Sequence, residues 1–147
     1  MSVSIEKLRH ECESVRNAAH RVYVEKSISH FCRAVFPAGW CGCLSRVLAS
    51  ELSRKYPQEL FYYVCGELHC SDGKLASHAW VRYNDWILDI TADQFAEIDE
   101  PITVVRVCDS AFHNRFHITN EHISEKNLER YHEERTVILK KMELENQ

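Results

Sequence analysis

Two short runs of alternating apolar residues, 77–83 and 86–90, constrain this chain more than any other feature, because only Asn84-Asp85 separates them. A connection of two residues between such runs predicts an antiparallel β-hairpin. The register that follows pairs Tyr83 with Trp86, Arg82 with Ile87, Val81 with Leu88 and Trp80 with Asp89.

The two faces of this hairpin differ in chemistry. One face is wholly apolar and must be buried, with Ala79, Val81, Tyr83, Trp86, Leu88 and Ile90. The other face carries His78, Trp80 and Asp89, and places Asp89 one diagonal step from His78, within hydrogen-bonding reach. A carboxylate beside an imidazole holds the ring in one tautomer and stabilises its charged form. His78 and Asp89 are therefore candidates for a base and its orienting acid. Asp93 is the rival acid, although the chain is expected to have left the strand by that point.

Upstream, two cysteines lie at the start of a helix. Phe36-Pro37-Ala38-Gly39 breaks one helix, and a second is predicted over residues 40–55. The positive end of a helix stabilises a thiolate, so Cys41 and Cys43 are both candidates. A step of about 100° per residue puts Cys41 on the apolar side of the helix and Cys43 on the outward, polar side. Because a nucleophile must face its base, Cys41 is the better candidate.

The remaining patterns predict the other elements of the fold. Apolar residues at steps of three and four indicate a helix over residues 4–35, with a break near Lys26. Further segments read as strands at 61–65 and 102–107, a loop at 71–74 and a charged helix at 121–144. The order helix, helix, strands, helix is typical of an α+β fold. We expect one domain covering residues 1–147.

Composition excludes several classes of function. The chain has 147 residues with a formal net charge of −4, and it lacks any basic stretch of the kind that binds nucleic acid. Residues 1–10 are polar and no window is apolar enough to span a bilayer, so we expect a cytoplasmic protein without a membrane partner. In that compartment the seven cysteines are expected to be reduced thiols, most of them buried.

Three segments together resemble the core of transglutaminase-like cysteine enzymes, within the wider papain-like group. They are Gly-Trp-Cys-Gly-Cys-Leu-Ser at 39–45, His-Ala-Trp-Val at 78–81 and Trp-Ile-Leu-Asp-Ile-Thr-Ala-Asp-Gln-Phe at 86–95. The resemblance covers about residues 36–95. It implies a Cys-His-Asp triad of Cys41, His78 and Asp89, on a nucleophile helix packed against a small antiparallel sheet. It further implies a thioester on Cys41 and a peptide or protein amide as substrate, without a cofactor or metal. Peptidase, deamidase and transamidase activities all remain open.

The chain departs from this pattern in two respects. Cys43-Leu-Ser-Arg is similar to the start of the leader peptidases that mature lasso peptides, and on that alignment Cys43 is the nucleophile. The papain-type glutamine before the cysteine is missing, because residues 35–40 contain no amide side chain. The Cys41 backbone N–H is then one donor to the oxyanion, and the second donor is unassigned.

Two other classes of function remain as alternatives. Seven cysteines and nine histidines suggest a metal-binding module, with Cys65, His69, Cys70, His113, His117 and His122 as possible ligands. No Cys-x2-Cys pair occurs, which argues against a closed zinc site. The second alternative is a non-catalytic interaction domain that docks through its charged C-terminal helix.

Overall fold

The computed structural model describes residues 3–25, 35–123 and 131–145. Their helices and strands follow the order α1 (Ile5–Val24), α2 (Cys41–Lys55), β1 (Tyr62–His69), β2 (Leu75–Tyr83), β3 (Trp86–Asp89), β4 (Thr103–Arg106), α3 (Ala111–Asn114), β5 (His117–Ile123) and α4 (His132–Glu145). Short 3-10 turns lie at Ala92–Gln94 and Val107–Asp109. The fold is α+β, as predicted. Among the helices of these residues, none combines the length and apolar character that a bilayer span requires.

The five strands form one antiparallel sheet in the order β4-β3-β2-β1-β5. The predicted hairpin register is confirmed for the pairs Tyr83–Trp86, Arg82–Ile87 and Val81–Leu88. Asn84 has a φ of 52° and so lies in the left-handed region, which asparagine tolerates better than most residues. The fourth predicted pair, Trp80 with Asp89, is not part of the β2–β3 ladder, which ends at Leu88, although Asp89 still pairs with Thr103 of β4.

Both faces of the sheet are covered. The apolar face of the hairpin packs against α1, α2 and α4 in the main core, which includes Leu8, Val15, Leu44, Leu48, Val81, Leu88 and Ile138. The face with Trp80 packs in a second cluster with Val64, Ile87, Ala92, Phe112 and Phe116. The body of α2 therefore lies over the apolar face of the sheet and not over the face that carries His78 and Asp89.

Two element boundaries predicted from the sequence differ from those of the structure. The charged helix predicted at 121–144 is wrong at its start, because residues up to Ile123 form β5 and pair with β1. Residues 124–130 lie outside the described residues, and α4 runs from His132 to Glu145. The strand predicted at 61–65 continues to His69. The predicted break near Lys26 also lies outside the described residues.

Candidate active site

Cys41 is the first residue of α2, directly after the turn at residues 36–39. Gly39 closes that turn with a φ of 81°, a conformation that favours glycine. Trp40 caps the helix without a side-chain hydrogen bond. The first backbone N–H groups of a helix have no carbonyl partner within it, and they concentrate positive charge at that end. The Cys41 thiol thus lies at a helix end that favours the thiolate.

Cys41 meets the sheet where β2 and β3 separate. Although the body of α2 covers the opposite face, its first residue interacts with His78 and Ala79 of β2, which lie beyond the last β2–β3 pair at Val81. There the His78 ring, the Ala79 backbone and the Gln94 side chain lie close enough to stabilise the Cys41 thiolate by hydrogen bonding. Thiol and imidazole are therefore in contact across the strand edge.

On its other side, His78 contacts Asp89. The His78 Nε2 atom lies 2.7 Å from Asp89 Oδ2, and neither side chain has any exposed surface. Asp89 is the last residue of β3, and its Oδ1 atom accepts a hydrogen bond of 2.9 Å from the Thr91 backbone N–H. The three residues singled out from the sequence, Cys41, His78 and Asp89, thus form one continuous chain of contacts with His78 in the middle.

The charges of these groups are coupled. Burial disfavours the Cys41 thiolate, but hydrogen bonding and the positive charge of His78 outweigh it, so the pKa of the thiol is lowered from its ordinary value. Burial likewise disfavours the charged His78 ring, yet Asp89 and Cys41 raise the pKa of His78 to about 9. Burial also opposes ionisation of Asp89, but His78 and His113 hold the pKa of this carboxyl well below its usual range. These couplings stabilise the Cys41 thiolate, the His78 imidazolium and the Asp89 carboxylate, and so favour transfer of the thiol proton to His78.

A second histidine, His113 from α3, also binds Asp89. Its Nε2 atom lies 2.7 Å from the same Oδ2 atom that contacts His78. Its Nδ1 atom lies 2.6 Å from Ser110 Oγ, which also accepts the His113 backbone N–H at 3.2 Å. Because the Asp89 carboxylate can only accept, Nε2–H of His113 donates to it, and in that neutral tautomer Nδ1 accepts from the Ser110 hydroxyl. The sequence indicated His113 only as a possible metal ligand, because nothing in its local pattern shows that α3 reaches β3.

Gln94 is a further group that the sequence analysis did not assign. Its Nε2 atom lies 2.7 Å from His78 Nδ1. The neighbouring Asp93, the rival acid, forms an ion pair with Arg16 of α1 at 2.8 Å and lies apart from the imidazole contacts. Asp89, and not Asp93, is therefore the carboxylate that touches His78.

Aromatic rings enclose the imidazole. The ring centroids of Phe95, Trp80, Phe116 and Phe112 lie between 5.1 and 6.2 Å from that of His78. Such a wall excludes water and lowers the local dielectric, which strengthens every charge interaction inside it. Three of the four rings belong to segments outside the hairpin, so this enclosure depends on the tertiary fold.

Cys43 is buried, and the prediction that it faces outward is wrong. The side of α2 that carries Cys43 and Arg46 is covered, with Tyr131 packed over the Arg46 guanidinium at 5.3 Å. Burial and the nearby Glu134 raise the pKa of the Cys43 thiol, so it is held as a thiol. Cys43 is therefore a weaker nucleophile candidate than Cys41.

One group of side chains among the described residues has the composition of a metal site. His78, Asp89 and His113 offer two ring nitrogens and a carboxylate oxygen within 4.8 Å of one another. Each nitrogen, however, lies 2.7 Å from the oxygen, which is a hydrogen-bond separation. Ligands of a tetrahedral zinc ion, each about 2.0–2.2 Å from the metal, lie further apart than that.

Taken together, the cluster can generate a nucleophile and move its proton. Cys41 supplies sulfur at a helix end, His78 contacts it, and Asp89 with His113 fixes the imidazole from behind. Such an arrangement suits covalent chemistry at a carbonyl carbon. Comparisons with protein-family models, with curated proteins and with solved structures returned no match for this chain.

Proposed function

We propose that this protein is a cysteine-dependent hydrolase or acyltransferase that acts on amide bonds of peptides or proteins. The observation that carries the proposal is the contact chain from Cys41 through His78 to Asp89, in which the imidazole touches both thiol and carboxylate. The lowered pKa of Cys41 and the raised pKa of His78, about 9, both favour transfer of the thiol proton to the imidazole. A thiolate of this kind is the reactive form of cysteine.

The mechanism starts with proton transfer from the Cys41 thiol to His78 Nδ1. The thiolate attacks the amide carbonyl carbon, a C–S bond forms, and the π electron pair of the carbonyl moves onto its oxygen. When this oxyanion collapses, the C–N bond breaks and the leaving nitrogen takes the proton from His78. Water or an amine then attacks the thioester carbonyl carbon while His78 takes the proton of the attacking group. The C–S bond breaks as this second oxyanion collapses, and Cys41 leaves and recovers the proton from His78. Asp89 stabilises the imidazolium throughout and remains ionised.

The resemblance to transglutaminase-like cysteine enzymes agrees with this proposal. The α+β fold, with the cysteine at the start of α2, is compatible with the arrangement that the resemblance implies. Water as acceptor gives a peptidase or a deamidase, and an amine gives a transamidase. The acceptor and the substrate are set by the shape of the cleft and by its loops.

The first prediction tests the nucleophile. Purified protein is alkylated with iodoacetamide at about pH 6, where an ordinary thiol with a pKa of about 8.5 is almost wholly protonated. We expect rapid labelling of Cys41 and not of Cys43, because the pKa of Cys41 is lowered and that of Cys43 is raised. Peptide mass spectrometry locates the label, and the exposed Cys108 serves as an internal reference.

Matched variants complete that test. Cys41→Ala is expected to abolish cleavage and deamidation of a peptide library while the protein still folds, and Cys43→Ala to retain most activity. An active Cys41→Ala protein would contradict the proposal. Loss of activity only in Cys43→Ala would move the nucleophile to the position that the lasso-peptide alignment implies.

A metal-binding function is the second candidate, because His78, Asp89 and His113 have the composition of a ligand set, although their N···O separations of 2.7 Å are those of hydrogen bonds. Metal analysis of the purified protein, with and without added zinc, distinguishes the two. Stoichiometric metal that is lost in both His113→Ala and His78→Ala would support this candidate. Rapid alkylation of Cys41 at about pH 6 in metal-free protein would support the enzyme.

A further inference from the structure

Gln94 binds the one nitrogen of His78 that has to receive the Cys41 proton. His78 Nε2 is already engaged by Asp89 at 2.7 Å, which leaves Nδ1 for the thiol. The Gln94 amide nitrogen lies 2.7 Å from that Nδ1 atom and also hydrogen bonds with Cys41. A primary amide has two N–H groups, so a single Gln94 side chain bridges ring and sulfur as a double donor.

Proton transfer makes one of these hydrogen bonds impossible. Once Nδ1 of His78 carries the proton from Cys41, it is a donor and cannot accept from the Gln94 amide. One amide N–H then needs another acceptor. The acceptor that arises in the next step is the substrate oxygen, which gains negative charge as sulfur attacks the carbonyl carbon.

Exposure indicates that this oxygen lies beside Gln94. His78 and Asp89 have no exposed surface, whereas Cys41 and Gln94 are both half-buried. A substrate therefore reaches the Cys41 sulfur from the side on which the Gln94 amide lies. A carbonyl carbon bonded to that sulfur carries its oxygen within reach of the amide.

The backbone around Gln94 is held in place. Its N–H donates to Thr91 O at 3.1 Å, and the next residue donates to Ala92 O at 3.0 Å. Arg16 fastens the turn to α1 through two hydrogen bonds to Asp93 and one of 2.7 Å to Ile90 O. Only the end of the Gln94 side chain then has to move between the two acceptors, so the donor is preorganised.

We propose that the Gln94 side-chain amide is a catalytic oxyanion donor, released from His78 when the ring takes the proton. The inference rests on the proposed function, and it fills the second donor position beside the Cys41 backbone N–H. After collapse of the oxyanion and loss of the proton to the leaving nitrogen, Nδ1 accepts from Gln94 again. The amide thus alternates between ring and substrate in step with the proton.

The test compares two reactions of Cys41 that differ only in the need for an oxyanion. Acylation by p-nitrophenyl acetate passes through a tetrahedral oxyanion, whereas alkylation by iodoacetamide displaces iodide from carbon without one. In Gln94→Leu we expect acylation to slow by about 100-fold to 1,000-fold and alkylation by less than about 10-fold. Gln58→Leu, at an exposed glutamine in the turn after α2, is the matched control and should change neither rate.

Gln94→Glu is the control for a folding defect. It keeps the shape of the side chain, but the ionised carboxylate cannot donate a hydrogen bond. It should show the same selective loss of acylation, with a thermal midpoint close to that of the original protein. Equal slowing of both reactions, or no slowing of acylation, would overturn the role of Gln94 as oxyanion donor but leave the proposed function standing. If Cys41 of the unsubstituted protein is neither acylated by p-nitrophenyl acetate nor alkylated by iodoacetamide at about pH 6, the proposed function itself fails, and the inference with it.

Discussion

The Asp89 side chain accepts three hydrogen bonds, although none of its surface is exposed. Two reach Oδ2 from His78 and His113, and the Thr91 backbone N–H reaches Oδ1. A buried carboxylate stays ionised only where such donors replace its lost hydration. Asp89 therefore sets the tautomer of both histidines, because each ring must present Nε2–H to the same oxygen.

We predict that Asp89→Asn lowers turnover by about two to four orders of magnitude while the fold is retained. An asparagine that puts nitrogen in the place of Oδ2 directs N–H groups at two ring nitrogens that now donate. The other orientation directs its N–H groups at the donating backbone of Thr91. Single-turnover kinetics and residual alkylation of Cys41, which should weaken but survive, measure the effect.

Asp93→Asn is the matched control. This carboxylate pairs with Arg16, so its loss should reduce stability but leave the partners of His78 in place. We expect turnover within about tenfold of the original. The acid is wrongly assigned if Asp93→Asn is crippled while Asp89→Asn remains fully active.

How much of the site could be predicted from the sequence depends on whether a residue lies within the hairpin or outside it. The contact of His78 with Asp89 was predictable because strand alternation and a turn of two residues fix the hairpin register. Gln94 and His113 lie in short helical segments without a long period, and their positions depend on how the chain packs after β3. The burial of Cys43 depends on residues at the far end of the chain, which helical geometry within α2 cannot reveal.

Among the elements, β5 lies close against β1 at Gly66. A Cβ atom there would lie 3.0 Å from both the His117 carbonyl oxygen and the Phe116 Cβ. The register between β1 and β5 shifts between Cys65 and Gly66, at the same place. Because Phe116 belongs to the wall around His78, the fit of β5 against β1 also bears on the site.

We predict that Gly66→Ala lowers the free energy of unfolding by about 1–3 kcal/mol, because the new methyl group meets backbone and a fixed Cβ. Denaturant unfolding measures the loss. Gly42→Ala is the control, since its nearest contact, the Arg46 Nη1 atom, is 3.4 Å away. Alanine is also the better helix former, so this change should be neutral or stabilising by up to about 1 kcal/mol. Equal stability of the two variants would contradict the close approach at Gly66.

The sequence did not reveal β5 because its outer surface resembles a solvated helix. Nearly all of residues 117–123 are exposed, and they precede a highly charged tail. An edge strand with one unpaired side carries polar residues for the same reason that a surface helix does. Burial, the usual signal of a strand, is weak there.

At the scale of the molecule, α4 is part of the core. It packs against α1, and Ile138 and Met142 are buried in the main core. Polar contacts fasten it as well: Arg135 Nε donates to Ser50 Oγ at 2.9 Å, and Lys141 pairs with Glu25 at 2.6 Å. The helix that we considered as a docking surface thus has one face committed to the fold.

We predict that Ile138→Ala lowers the free energy of unfolding by about 2–5 kcal/mol, because the side chain has no exposed surface and leaves a cavity. Leu144→Ala, in the same helix but at a residue that is 56% exposed, should cost less than about 1 kcal/mol. Thermal or denaturant unfolding compares them. If Ile138→Ala were as stable as Leu144→Ala, α4 would not contribute to the core as described.

The two histidines that converge on Asp89 fix the direction of the hydrogen bonds in the buried network, and that direction limits where protons can go. The Ser110 hydroxyl donates to His113, and His113 donates to Asp89. On the other side of the carboxylate, His78 also donates to Asp89. Opposed directions meet at one oxygen, so protons cannot hop through the interior from one histidine to the other. The interior end of the network is insulated. In the proposed mechanism, a proton that His78 takes from Cys41 therefore has to leave on the side of the ring that faces Cys41 and Gln94, so it passes to the leaving group of the same cycle.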